Sequence, residues 1–331
     1  MLRSALTLSL LTCQPMHITN IRLHRPKPGL MTQHLISVKA AATISGADVK
    51  GATLGSQELT FQPTETQPGR YRFDISTAGS TSLVLQTVLL PLTLAGGKSH
   101  LTLTGGTHVP FSPCFHYLES HWLAYLQRMG IQVHLELEQA GFYPPGGGKI
   151  HASIHSTGPL LPLQAIARGQ LVRIQGLSGV ANLDLDIARR QKHQALRRLE
   201  PLCRDVKIRT IDLPSPVKGT FILLLAEFEG SQCCYCALGA PGKRAEQVAD
   251  EAVDALQAFL ATGGAIDQYL ADQLLLPLAF ADGESRLRTS RVTLHLITNA
   301  AILRHFLPVS IEIQGEIGQP GLVKVGGRNK V

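Results

Sequence analysis

The feature that most constrains this chain is an internal echo. Residues 83–104 read LVLQTVLLPLTLAGGKSHLTLT and residues 270–291 read LADQLLLPLAFADGESRLRTSR. Both spell an apolar helix containing LLP, then a small-residue turn, then a short strand. LTLSLLT followed by CQPMHITNIR near the N-terminus is a weaker third copy. Each copy runs into a second helix, over 29–46, 112–130 and 295–307, and then into a strand pair, over 48–63, 131–156 and 309–327. Alternation in VHLELE and KIHASIH is the period-2 pattern of half-buried strands. Units that cannot bury their apolar faces alone do so against one another, so a repeat is settled before the fold class. The expected fold is α/β, of the α+β type: three repeated two-helix, four-stranded-sheet units forming one large domain. A strand should precede each first helix. YRFDIST serves the second copy, LVRIQG (171–176) is assigned to the third, and the first copy has no residues left for it.

The pattern breaks between residues 177 and 262. A basic helix, ARRQKHQALRRLEPL, is followed by the strands VKIRTIDL, TFILLLAEF and CCYCAL. RAEQVADEAVDALQAFL then shows the i, i+3, i+4, i+7 spacing of an amphipathic helix. This reads as a small α/β domain (177–262) inserted into the third repeat. Residues 1–176 then hold repeats one and two and the start of three, and 263–331 complete the large domain. An apolar fraction of 44% against 17% charged residues supplies a sizeable core and excludes disorder. The net charge of +7 favours an anionic partner such as RNA or a nucleotide. The six cysteines include no paired CxxC motifs of zinc spacing. CCYCAL is expected to hold inert buried thiols, which fits a reducing cytoplasm. MLRSALTLSLLTCQP is too interrupted by Ser and Thr for a signal peptide and reads as a buried helix. No run approaches the roughly 18 apolar residues of a membrane span.

Several stretches carry candidate chemistry. In RLHRPKPGL, Pro26 and Pro28 stiffen a loop bearing Arg22, Arg25 and Lys27, a form suited to clamping phosphate. GGG in FYPPGGGKI lacks P-loop spacing and reads as a sharp turn between strands. In TGGTHVP the backbone amides are placed to face an anion. His295 sits at a strand-to-helix junction, where an imidazole can attack phosphorus and the helix dipole favours phosphate over imidazolium. Tyr269 and Asp272, at i and i+3, share a helix face with Gln273 alongside, a set able to stack and edge-bond a purine.

These stretches together resemble the RNA 3'-terminal phosphate cyclase family, over essentially the whole chain. The resemblance is carried by LRSALTLSLLTCQP, RPKPGL with QHL, GATLGSQEL, STAGSTSLVLQTVLLP, GGTHVP, GFYPPGGG, YLADQLLLP and HLITNAAILRHFLPV. It implies an enzyme that uses ATP and a divalent metal (Mg or Mn) to turn an RNA 3'-terminal phosphate into a 2',3'-cyclic phosphate. It implies His295 as the adenylylated nucleophile, and Arg3, Arg22, Arg25 and Gln33 around the phosphates. Gln86, Pro113, Tyr117, Tyr269, Asp272 and Gln273 would contact the nucleotide. Relatives carry a strand and a GEGGGQ segment before the LR pair, whereas here Met1 precedes Leu2 directly. They commonly have Arg at Thr32, and TDNP where this chain has THVP, with His108 and Val109. Two other readings stand beside this one: a non-enzymatic relative serving ribosome assembly, and an enolpyruvyl transferase of related fold. The sequence leaves the oligomeric state and the metal ligands open.

Overall fold

The chain opens with helix α1 (Leu2–Thr12), strand β1 (Met16–Ile18), helix α2 (Thr32–Ser45) and strands β2 (Asp48–Lys50) and β3 (Leu59–Gln62). The computed structural model describes residues 1–75, 78–156 and 158–327. Ser76 and Thr77, expected to end the YRFDIST strand and to open STAGS, lie outside the described residues, as do 328–331. In the first sheet β3 pairs antiparallel with both neighbours, in the order β1-β3-β2. Gly29 lets the loop before α2 pass close to the loop between β2 and β3: at φ 79 it lies in the left-handed region, and a Cβ there would sit 2.0 Å from the Gly55 carbonyl oxygen.

Next come β4 (Arg70–Asp74), α3 (Thr81–Leu94) and β5 (Lys98–Gly105). A helical stretch follows: α4 (Phe115–Tyr117), a π-helical turn (Leu118–Trp122) and α5 (Leu123–Arg128). Strands β6 (Gln132–Gln139) and β7 (Gly148–His155) complete a sheet ordered β4-β5-β7-β6, with β4 parallel to β5 and the rest antiparallel. Gly146 and Gly147 take φ 79 and 73 just before β7, the turn role expected of GGG.

A short strand, β8 (Gln164–Ala165), precedes β9 (Leu171–Ala181), α6 (Leu185–Leu199), β10 (Val206–Asp212), β11 (Gly219–Phe228), β12 (Gln232–Leu238) and α7 (Ala245–Leu260). The last elements are α8 (Gln268–Ala279), β13 (Ser285–Thr289), α9 (Leu294–Phe306), β14 (Ile311–Gln314) and β15 (Gly321–Val325). One sheet runs β10-β9-β11-β12 and another β14-β15-β13-β8. This is a mixed α/β fold of several small sheets, none of which closes into a barrel among the described residues.

LVRIQG does not serve the third copy as expected. It is the first half of β9, paired with β10 and β11, and the strand lying parallel to β13 is β8. The cause is length: residues 171–181 form one uninterrupted strand, so its N-terminal half cannot join a different sheet.

Periodicity explains how two cores share one strand. In β11, Phe221, Leu223 and Leu225 belong to the large core, while Ile222, Leu224 and Ala226 face α6 and α7 in a second core. On α7 the buried set Val248, Ala249, Ala252, Val253, Leu256 and Phe259 forms one stripe, as its spacing predicts.

Proline decides a less obvious contact. Pro91 lies inside α3 and has no N–H, so the Thr87 carbonyl four residues back loses its helical donor. The buried Thr7 hydroxyl of α1 donates to that carbonyl at 2.8 Å. The polar positions that interrupt α1 therefore have internal uses, and α1 packs against α2, α3 and α9.

Candidate active site

Four of these helices begin at one place. Arg3, Gln33, Tyr269 and His295 are each the second residue of α1, α2, α8 and α9. They line a single open cleft of about 910 Å³. The positive ends of four helix dipoles meet there, which favours an anion.

The cap of α8 is the most constrained group nearby. Asp267 accepts from the Tyr269 and Leu270 amides, both at 2.9 Å. It also accepts from Tyr117 Oη at 3.4 Å and lies 2.6 Å from His121 Nε2, with both side chains fully buried. Gln232 Nε2 donates to the Ser120 carbonyl and is 3.1 Å from His121 Nδ1. That contact makes Nδ1 the acceptor, so the proton is on Nε2 and points at Asp267. Four donors satisfy this buried side chain and fix where α8 starts.

From α8 a polar chain crosses the helices. Gln273 Oε1 accepts from Gln86 Nε2 at 2.7 Å, and Gln86 Oε1 accepts from the Arg3 guanidinium. Asn299 Nδ2 donates to Asp272 at 3.4 Å, and its Oδ1 accepts from Ser4 at 2.8 Å. Burial pushes the Asp272 carboxyl up to about 6, against the pull of Arg3 and His295 and with the push of Asp267. Burial, then Asp267, likewise raises Tyr117. His295 itself is exposed, and the Thr293 hydroxyl behind it caps α9 by accepting from the Leu296 amide at 3.1 Å.

The cleft brings together Arg3, Gln33, Gln86, Pro113, Tyr117, Tyr269, Asp272, Gln273 and His295. It is not lined by Arg22 or Arg25. Arg22, at φ 55, turns its guanidinium back onto the Lys27 and Gly29 carbonyls, at 2.7 and 3.3 Å, and Arg25 is exposed on the same loop. Arg22 still acts near the rim, since burial and then its charge lower His34, which does line the cleft.

Two expectations are corrected here. The amides of TGGTHVP do not face an anion: those of Thr107 and His108 donate to the Gly141 carbonyl and that of Gly106 to Gly79. His108 turns away from the cleft, its Nε2 2.9 Å from His116 Nδ1, and burial holds both imidazoles well below their ordinary range. CCYCAL is corrected only in part: Cys233 and Cys234 are fully buried, as expected, whereas Cys236 is half-buried, and Cys234 and Cys236 lie in the cleft wall with Cys114. Sequence reading also missed Ser4, Asn299 and Asp267. Asp267 was findable, since an Asp just ahead of an apolar helix is a capping signal. Ser4 and Asn299 carry no such signal.

As a class, this is a mixed α/β chain whose helix N-termini converge on a cleft holding an exposed imidazole, an arrangement that suits a phosphorylated ligand. Residues 1–313 match the family described as RTC, RNA 3'-terminal phosphate cyclase. The chain is 40% identical over 312 residues to the RNA 3'-terminal phosphate cyclase of Nostoc punctiforme, covering 92% of this chain and 90% of that one. It is 40% identical over 334 residues to the protein of that name from Methanopyrus kandleri, covering 98% and 94%. Among solved structures it is matched to the enolpyruvyl transferase NikO from Streptomyces tendae at 11% identity and a TM-score of 0.27, covering 98% of this chain and 79% of that one. The chain belongs to the RNA 3'-terminal phosphate cyclase family.

Proposed function

We propose that this chain converts an RNA 3'-phosphate to a 2',3'-cyclic phosphate with ATP, through AMP carried on His295. The observation that carries the reading is the exposed His295 imidazole in a cleft where four helix N-termini meet. In the first step an imidazole nitrogen attacks the α-phosphorus. A P–N bond forms, the P–O bond to the β-phosphate breaks, and pyrophosphate leaves. The RNA 3'-phosphate then takes the AMP and frees His295. The vicinal 2'-OH attacks the activated phosphorus, its proton is lost, and AMP departs. Arg3 and the helix termini hold phosphate charge, with Gln33 beside them and Arg22 and Arg25 guiding the RNA end at the rim. Pro113, Tyr117 and Tyr269 enclose the adenine, while Gln86, Asp272 and Gln273 hold the nucleotide through hydrogen bonds.

Among the described residues no group of three or more His, Cys, Asp or Glu side chains is placed to hold a metal. Mg and Mn are usually held by one or two carboxylates together with substrate phosphates and water, so a divalent ion brought in with ATP stays part of this reading. The same reading places the chain in the cytoplasm. No helix among the described residues is long and apolar enough to cross a membrane.

Three units and an insert form part of the reading. It is supported by the shared pairing order of β4-β5-β7-β6 and β8-β13-β15-β14, of which β1-β3-β2 lacks only the first strand. We draw the insert from β9 to α7, moving its first boundary from 177 to 171 so that β9 stays whole. The large domain then comprises 1–170 and 263–331.

ATP labelled at the α-phosphate tests the proposal. An acid-labile label should form on the protein and be lost in His295→Ala. Label that persists in that variant overturns it.

A further inference from the structure

Phe111 is fully exposed, yet its backbone lies at φ 63, in the left-handed region. It is the second central residue of a turn whose first is Pro110, a position that favours Gly or Asn, and a bulky side chain there is an outlier. The turn is held shut: Ser112 Oγ donates to the Val109 carbonyl at 3.2 Å, and Pro113 follows. Nothing is gained for the core, because the ring packs against nothing. Backbone strain of this kind gathers at ligand sites. Phe111 lines the cleft two residues before Pro113.

Exposure ranks the aromatic side chains of the cleft. Tyr117 is 5% exposed, Tyr235 7%, Tyr269 53% and Phe111 104%, so Phe111 is the outermost of them. The adenine in the reading above lies against Tyr117 and Tyr269. A strand whose phosphate reaches the cleft enters from solvent and brings its last base past the mouth.

We propose that Phe111 is a stacking platform for the terminal nucleobase of that RNA. The proposal rests on the cyclase reading. Stacking on a bare ring tolerates any base, since every base has a π-face. The platform therefore grips the 3'-nucleotide without selecting its sequence, while the phosphate contacts set its register.

The test uses the full chain, ATP, and short RNAs ending in a 3'-phosphate. Phe111→Ala and Phe111→Leu should raise the KM for RNA about 5- to 100-fold, with similar values for all four terminal bases. Phe111→Trp should restore it. AMP labelling from ATP alone should proceed as before in all three. An unchanged RNA KM in Phe111→Ala overturns the proposal, as does slowed labelling, which would place the ring against adenine. If the unaltered chain neither labels nor cyclises, the failure lies with the cyclase reading instead.

Discussion

The unit spanning β9 to α7 and the cleft beside it handle polar groups in opposite ways. In the unit, charge stays outside: Arg190 pairs with Glu246, and Arg198 with Asp250 and Asp254, along the exposed faces of α6 and α7. Its buried amide, Gln191, is satisfied locally, accepting from Ser178 at 2.8 Å and donating to Thr220 at 2.9 Å. In the cleft, polar side chains are buried and joined to partners far away in sequence. Ser4 to Asn299 spans 295 positions, and Gln86 to Gln273 spans 187. The unit is stabilised by periodic apolar burial that any similar pattern would supply. The cleft depends on individual groups meeting across helices, so single changes there should act strongly and in both directions.

The largest effect is expected at Asp267. Asp267→Ala removes the α8 cap and leaves His121 buried without its acceptor. The lost cap and the buried imidazole N–H left without an acceptor together cost about 2–5 kcal/mol. Denaturant unfolding should show that loss, together with weakened nucleotide binding as Tyr269 and Gln273 lose their footing. A loss below about 1 kcal/mol would mean the cleft tolerates change as an exposed ion pair does, and the contrast would fail.

Asp272 should act in the opposite direction. Its folded value of about 6 lies above the ordinary 3.8, so between those pH values the folded chain holds more protons than the unfolded one. Stability therefore falls as pH rises through that window, and the cost persists above it. Asp272→Asn should remove the slope and stabilise the chain by about 1–3 kcal/mol at pH 8, while lowering AMP labelling of His295. Unfolding free energies for both forms from pH 4 to 8 check the sign. A parallel pair of curves would show that Asp272 is not held under strain for function.

The same contrast explains what the sequence disclosed. The stripe on α7 and the two-sided run of β11 repeat with the period of their own secondary structure, so they could be read directly. His295, Arg3 and Gln86 have no periodic signature: His295 stood out by its place at a strand-to-helix junction, and only the resemblance to a family singled out Arg3 and Gln86. Their meeting depends on how α1, α3, α8 and α9 pack, which no local pattern encodes. LVRIQG shows the limit from the other side. It is a strand, as expected, but a local pattern names a strand without naming its sheet. CCYCAL shows the same limit more mildly: Cys233 and Cys234 are buried as expected, but that the end of β12 would border an open cleft is a tertiary fact.

Thr7→Val sharpens the comparison at smaller scale. The change keeps shape and removes the one donor that replaces the missing Pro91 amide at the Thr87 carbonyl. An unsatisfied buried carbonyl costs about 1–3 kcal/mol, read as a lower denaturation midpoint at an unchanged slope. Pro91→Ala in the same background should recover part of the loss, because the helix regains its own donor. If the recovery is absent, α1 and α3 are joined by packing alone.

Arg190→Ala is expected to do least. Arg190 and Glu246 form a two-pronged contact at 2.8 and 2.9 Å between α6 and α7. Both are at the surface, where water and salt replace the pairing. The midpoint of unfolding should not move measurably, and AMP labelling should match the unaltered chain. This null result matters to the comparison. If removing an exposed pair in the β9–α7 unit changed labelling at His295, the unit would be steering the cleft rather than standing beside it. Labelling measured at low and high salt tells the two apart, because steering through a surface charge fades within a Debye length of roughly 10 Å at 0.1 M salt.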